Sequence, residues 1–201
     1  MTYIPRTIES VVKKAASQAP AVIITGPRQS GKTTLLQHLF SKTHRYVSLD
    51  HPDIRSQAIH EPELFFENYP PPVIIDEVQY APQIFSYLKM KIDEHRFKKG
   101  QFLLTGSQSF SLMAGVTESL AGRIFIFDLL SLSIREQLDK DEFSLDVLKM
   151  LTLTGGFPEL VVDKKQDRER WFSNYLQTYL ERDVRQFGRS AIWLIFRDSW
   201  N

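Results

Sequence analysis

Gly26-Pro27-Arg28-Gln29-Ser30-Gly31-Lys32-Thr33 satisfies the phosphate-loop pattern G-x-x-x-x-G-K-[ST] at every fixed position. Its flanks have the form that the pattern requires. Ala21-Val22-Ile23-Ile24-Thr25 reads as a buried strand entering the loop, and Thr33-Thr34-Leu35-Leu36-Gln37-His38-Leu39-Phe40 as the helix leaving it. The two glycines let the backbone curl tightly and turn its N–H groups inward. Those groups and the positive end of the helix then face one anion, the triphosphate of a nucleotide. Gly26, Pro27, Arg28, Gln29, Ser30, Gly31, Lys32, Thr33 and Thr34 are the expected cradle. Lys32 is expected to reach the β- and γ-phosphates, and the Thr33 hydroxyl to hold Mg²⁺.

A phosphate loop needs an acidic partner, and Val73-Ile74-Ile75-Asp76-Glu77-Val78-Gln79 supplies one. An uninterrupted β-branched run is a strand buried on both faces. Carboxylates at its C-terminal end stand where ligands bind in an open α/β sheet. Asp76 is expected to bind Mg²⁺, directly or through water, and Glu77 to polarise the attacking water. Between loop and acidic strand there is room for a helix, a strand and another helix. That spacing, with Asp followed by Glu, resembles the division of phosphate-loop proteins that has an extra strand and a catalytic glutamate.

The intervening and following chain fits the same plan. Residues 7–18 read as a lead-in helix against the sheet, closed by Pro20. His44 to Asp50 reads as a second strand. Asp50-His51-Pro52-Asp53 reads as a turn and helix start, with Asp as cap, in preference to a metal cluster. A helix over residues 54–68, interrupted near Pro62, is expected to pack Leu64, Phe65 and Phe66 inward. Residues 83–97 form an amphipathic helix with Ile84, Phe85, Leu88 and Ile92 on one stripe; Lys89, Lys91, Lys98 and Lys99 read as a solvated face.

Two further stretches are candidates for the site. Gln101-Phe102-Leu103-Leu104-Thr105-Gly106-Ser107-Gln108 is a buried strand ending in small polar residues, and Thr105, Ser107 or Gln108 is expected to sense the γ-phosphate or hold the water. Glu118-Ser119-Leu120-Ala121-Gly122-Arg123 precedes a fifth core strand, Ile124 to Phe127. Arg123 is a candidate to stabilise transition-state charge, in cis or from a neighbouring subunit; the alternative is a structural ion pair, with Glu118 as a candidate partner. Beyond Leu129 the chain reads as short helices, a Gly155-Gly156-Phe157-Pro158-Glu159 break, and a longer helix with Trp171, Phe172, Tyr175, Leu176, Tyr179 and Leu180 as a core stripe.

The 201 residues carry 25 basic and 24 acidic side chains and are 42% hydrophobic, so no global field attracts nucleic acid or an anionic membrane. The absence of cysteine excludes disulfides, thiolate zinc sites and cysteine nucleophiles. No apolar run approaches the roughly 18 residues of a membrane span, and Met1 to Arg6 lacks a secretory profile. A cytoplasmic protein is the expectation.

Together these motifs resemble the predicted AAA-superfamily ATPases of bacteria and archaea, in which an N-terminal ATPase domain leads into an uncharacterised C-terminal domain. The resemblance rests on Gly26 to Thr34, Val73 to Gln79, Leu103 to Gln108, Glu118 to Arg123, Gly155 to Glu159 and Tyr179-Leu180-Glu181-Arg182-Asp183-Val184, and it runs to about residue 187. It implies a three-layer α/β/α fold with a central parallel sheet in 5-1-4-3-2 order, followed by helices. The expected organisation is an ATPase domain over residues 1–130, a helical lid or connector over 131–187, and an atypical, truncated or frameshifted tail over 188–201, prone to self-association. The resemblance implies ATP with Mg²⁺; the residues themselves do not separate ATP from GTP, although no Asn-Lys-x-Asp motif is present. The leading expectation is Mg-dependent ATP hydrolysis. The alternatives are a slow-turnover nucleotide switch acting on a protein partner and, disfavoured by charge, a nucleic-acid-linked motor.

Overall fold

The computed structural model describes residues 3–107, 110–138, 144–163 and 165–186. Five parallel strands pair in the order β2-β3-β4-β1-β5, the same order as 5-1-4-3-2 read from the other edge. They are β1 (Ala21–Thr25), β2 (Arg45–Ser48), β3 (Val73–Asp76), β4 (Phe102–Thr105) and β5 (Ile124–Asp128). The register aligns Ile24 with Thr105 and Ser48 with Asp76. The C-terminal ends of the three strands that carry the polar motifs therefore share one rim of the sheet.

Strand alternation explains why β1, β3 and β4 are apolar without interruption. Ala21, Ile23, Val73, Ile75, Phe102 and Leu104 face one buried cluster, whereas Val22, Ile24, Ile74 and Leu103 face the other. Each cluster is closed by helices, so neither face meets water. α1 (Glu9–Gln18) and α2 (Lys32–Phe40) cover one side, with Val12, Ala15, Ala16, Leu35 and Leu36 buried. The other side is covered by α3 (Pro52–His60), α4 (Pro62–Asn68), α5 (Ile84–Glu94) and α6 (Phe110–Leu120). Fully burying one such Ile, Leu or Phe contributes about 1.5–3 kcal/mol, which makes these strand ends a rigid platform.

Several expectations needed revision. Leu64 is 40% exposed, while Phe65 and Phe66 are buried, because the short α4 turns only part of its surface inward. α3 starts on Pro52 with His51 in the capping position and no side-chain cap, so Asp50 does not cap it. β5 is an edge strand paired only with β1, and Phe125 and Ile126 are partly exposed, so it is not a core strand. α6 was not anticipated.

The chain divides into two compact units, residues 1–162 and 163–201. The first therefore continues past Leu130 through α7 (Ile134–Gln137), α8 (Leu145–Thr154) and α9 (Pro158–Val162). The second contains α10 (Arg168–Gln186), in which Trp171 stacks on Tyr175 with ring centroids 5.1 Å apart. The side chains of Tyr179 and Leu180, and the tail from residue 188, lie outside the description. Among the described residues, no helix is long and apolar enough to cross a membrane.

Candidate nucleotide site

β1 delivers the chain to Gly26 in an unusual conformation, with φ of 137°. A Cβ there would stand 2.2 Å from the Leu129 carbonyl oxygen, so only glycine lets the loop leave the sheet beside the end of β5. Gly31, at φ 92°, occupies the capping position of α2, and Leu35 N–H donates to its carbonyl at 2.9 Å. No side chain caps this helix, so its first N–H groups remain directed at the loop. Gln29 also takes a positive φ, of 59°, a strain that non-glycine residues rarely accept outside functional loops.

Lys32 is 5% exposed and lies back across the loop, donating to the carbonyls of Gly26 (3.1 Å) and Pro27 (2.7 Å). Burial lowers its pKa from the ordinary lysine value, although the carboxylates of Glu77 and Asp76 act in the opposite sense. Thr33, one residue further, donates from Oγ1 to Asp76 Oδ1 at 2.6 Å. Ser30 is fully buried and its hydroxyl has no hydrogen-bond partner. Arg28 reaches the Tyr80 hydroxyl at 2.9 Å, while Thr34 is exposed on α2.

Asp76 ends β3 with both oxygens engaged. Oδ1 accepts from Thr33 and from Thr105, and Oδ2 accepts from the Tyr46 hydroxyl at 2.9 Å. Burial, then the neighbouring Asp76 charge, pushes the Tyr46 phenol up to about 12, which keeps it a hydrogen-bond donor at neutral pH. Sequence reading missed Tyr46. It contacts Asp76 only because β2 pairs with β3, and a single aromatic residue in a short strand carries no local sign of that.

Directly after Asp76 the backbone turns at Glu77, whose φ of 58° places a non-glycine residue in the left-handed region. Its N–H donates to Thr105 Oγ1 at 3.2 Å. The Thr105 hydroxyl therefore gives its one proton to Asp76 and also accepts from the Glu77 N–H. Gln79 Nε2 donates to Glu77 Oε2, and Gln79 Oε1 accepts the Ser107 N–H at 3.2 Å. The Ser107 hydroxyl is buried without a hydrogen-bond partner. Gln108 lies outside the described residues.

The double commitment of Thr105 makes a stability prediction. Thr105→Val would leave the Glu77 N–H without its acceptor inside a packed rim and remove one donor from Asp76. We expect a loss of about 1–3 kcal/mol in unfolding free energy, read as an earlier midpoint in a urea titration.

Arg123 departs from the expected cluster. It precedes β5, its carbonyl accepts from Ala21 N–H at 3.3 Å, and so it stands at the rim where strands begin. The phosphate loop begins at Gly26 on the opposite rim, roughly 20 Å away along β1 at about 3.3 Å per residue. Its guanidinium makes two bonds to Asp93, at 2.8 and 2.9 Å, rather than pairing with Glu118. That contact raises the Arg123 pKa and lowers that of Asp93. A contribution of Arg123 to the phosphate site of its own chain does not fit this placement.

Comparison with known proteins agrees with this geometry. A family model described as an AAA domain matches residues 18–138, and a domain of unknown function (DUF8612) matches residues 145–201. Two mycobacterial proteins, uncharacterized protein Mb2031c of Mycobacterium bovis and uncharacterized protein Rv2008c of Mycobacterium tuberculosis, are each 31% identical over 191 residues. The match takes in 94% of this chain but spans only 42% of the length of those proteins. Among solved structures, the Walker-type ATPase PABY2304 of Pyrococcus abyssi superposes with a TM-score of 0.58. At 15% identity, over 92% of this chain and 75% of that one, the likeness is one of fold. With a phosphate loop, an acidic strand and a five-stranded parallel sheet in this order, the chain belongs to the AAA domain family of P-loop ATPases.

Proposed function

We propose that this chain binds ATP together with Mg²⁺ and hydrolyses the γ-phosphate. The observation that carries the reading is the Thr33 hydroxyl 2.6 Å from the Asp76 carboxylate, directly beside the buried Lys32. A hydroxyl and a carboxylate are hard oxygen donors, the set that suits Mg²⁺ bound between protein and phosphate, so Thr33 and Asp76 would hold it. When bound, Mg²⁺ neutralises charge on the β- and γ-phosphate oxygens. Adenine as the base comes from the family.

The chain's own residues divide the remaining work. The N–H groups of Gly26 to Thr33 and the start of α2 hold phosphate oxygens. Lys32 exchanges its loop carbonyls for the β- and γ-phosphates, whose charge favours its protonated form against the effect of burial. Glu77 accepts a proton from the attacking water while Gln79 orients its carboxylate. Thr105 fixes Asp76 and the Glu77 backbone, which leaves Ser107 as the hydroxyl available to the γ-phosphate or the water.

The test is phosphate release from ATP with Mg²⁺. Turnover that stops when Mg²⁺ is chelated is expected; binding without release would replace this reading with the nucleotide switch. Ser107→Ala refines it. Because Ser107 Oγ satisfies no group inside the protein, its loss should leave the folded state intact and ATP affinity within a few-fold. Turnover should fall about 100- to 1,000-fold, the scale of losing one donor aimed at developing charge, read as kcat at saturating ATP.

A further inference from the structure

The chain before α1 carries a charged side chain that the proposed chemistry does not use. Arg6 is only 8% exposed although it is five residues from the start of the sequence. Its Nη1 donates to the carbonyl of Ser30, inside the phosphate loop, at 2.9 Å. Its Nη2 donates to the Leu130 carbonyl at 2.8 Å, just beyond β5, and its Nε meets Glu136 Oε1 at 3.2 Å. Glu136 is held in turn by the N–H and hydroxyl of Thr7 and by the N–H and hydroxyl of Ser133. Burial alone would raise the Glu136 carboxyl, but the Ser133 and Thr7 amides and the Arg6 charge outweigh it and hold it at about 2. The pair is therefore ionised throughout the physiological range.

A second contact of the same segment reaches the helix leaving the loop. The Tyr3 ring stacks on His38 of α2 with centroids 3.8 Å apart, and the Tyr3 hydroxyl donates to Glu9 Oε1 at 2.8 Å. Glu9 also accepts the Arg6 N–H at 2.8 Å, which fixes the backbone from which the guanidinium projects. One short segment thus grips the phosphate loop, the first helix after it and the chain following β5.

We propose that residues 3–7 are a latch on the phosphate loop and that Arg6 is a positioning residue for nucleotide binding, holding the Ser30 carbonyl outward so that the loop's N–H groups stay directed at the phosphates. The planar fork of arginine is needed because three acceptors in different directions must be met at once, which the single ammonium of lysine cannot do. In the peptide just before that carbonyl, Ser30 N–H has only a long 3.4 Å bond to Pro27 O, so the loop's own hydrogen bond does little to hold Ser30. The affinity part of this inference rests on the ATP-binding reading above; the ordering part does not.

Arg6→Lys tests it, since it keeps the charge that Glu136 requires and so preserves folding. Two quantities are read on the whole chain: amide hydrogen exchange of the segment spanning residues 26–36 without nucleotide, and the dissociation constant for Mg·ATP. The latch predicts exchange about tenfold faster in that segment with β1, β3 and β4 unchanged, ATP binding weakened about tenfold, and kcat at saturation unaltered. Arg6→Ala should weaken binding further and regain affinity on addition of guanidinium. Wild-type exchange and affinity in folded Arg6→Lys would overturn the latch, as would faster exchange spread evenly over the sheet. Should wild type fail to bind ATP, the ATPase reading falls, and the exchange comparison still decides the latch.

Discussion

Lys32→Ala is expected to weaken ATP binding about 100-fold or more while leaving the fold intact. In the free protein the ammonium serves the loop itself, bonded to the Gly26 and Pro27 carbonyls. Removing the side chain leaves the buried Gly26 carbonyl and the half-buried Pro27 carbonyl without that donor, at a stability cost of about 1–3 kcal/mol. With nucleotide bound the balance changes. Two phosphate groups lose a charge-assisted partner in a site shielded from solvent, at about 1.5–3 kcal/mol for each hydrogen bond to a charged group. A loss of about 2.7 kcal/mol corresponds to 100-fold in affinity. Fluorescent-nucleotide titration, with far-ultraviolet circular dichroism as the folding control, measures both halves. A variant that binds within threefold of wild type would remove Lys32 from the phosphate site.

Glu77→Gln is expected to separate binding from turnover. The amide has the same shape as the carboxylate, and its oxygen can still accept from Gln79 Nε2, so the turn after β3 should survive the change. It cannot take a proton from water. Removing a general base costs about 10²- to 10⁴-fold in rate, and kcat should fall by that amount with the ATP dissociation constant unchanged. Phosphate release in single-turnover conditions reads the chemical step without product release. The strained backbone at Glu77 adds a reason to expect a functional role, since a left-handed non-glycine residue costs about 1–3 kcal/mol and persists only where its surroundings impose it. If kcat were unchanged in Glu77→Gln, water activation would have to come from elsewhere.

What the sequence disclosed was whatever local pattern encodes. The motif from Gly26 to Thr33 fixes a loop because its glycines and lysine stand at set intervals, and the structure has the expected strand and helix on either side. Apolar runs at 21–24, 73–75 and 102–104 marked strands covered on both faces, while their order came from the family resemblance and agrees with the sheet. Contacts made across the sheet were not legible. Tyr46 reaches Asp76 through the β2–β3 pairing, and Arg6 meets Glu136 across 130 positions of chain. Neither leaves a periodic trace. Gln79 stood inside a recognised motif, yet its two-sided role depends on where β4 ends. α6 contains Gly115 and β-branched residues that weaken a helical reading, and packing overrides that preference.

Arg123 illustrates a different failure. A glycine followed by arginine before a strand suggested close approach to a ligand. In an all-parallel sheet, however, residues preceding a strand stand at the rim opposite the one where ligands bind. Topology alone places Arg123 at the foot of the sheet once the fifth strand is read as parallel to the first, and there the structure pairs it with Asp93.

The central claim is that the phosphate loop, with Lys32 as its cation, binds ATP in this chain. Equilibrium titration of Mg·ATP into wild type and Lys32→Ala, at matched protein concentration, tests it most directly. One nucleotide per chain for wild type, and affinity about 100-fold weaker for the variant, is the predicted result. Equal affinity in the two proteins, or no binding by folded wild type, would contradict it.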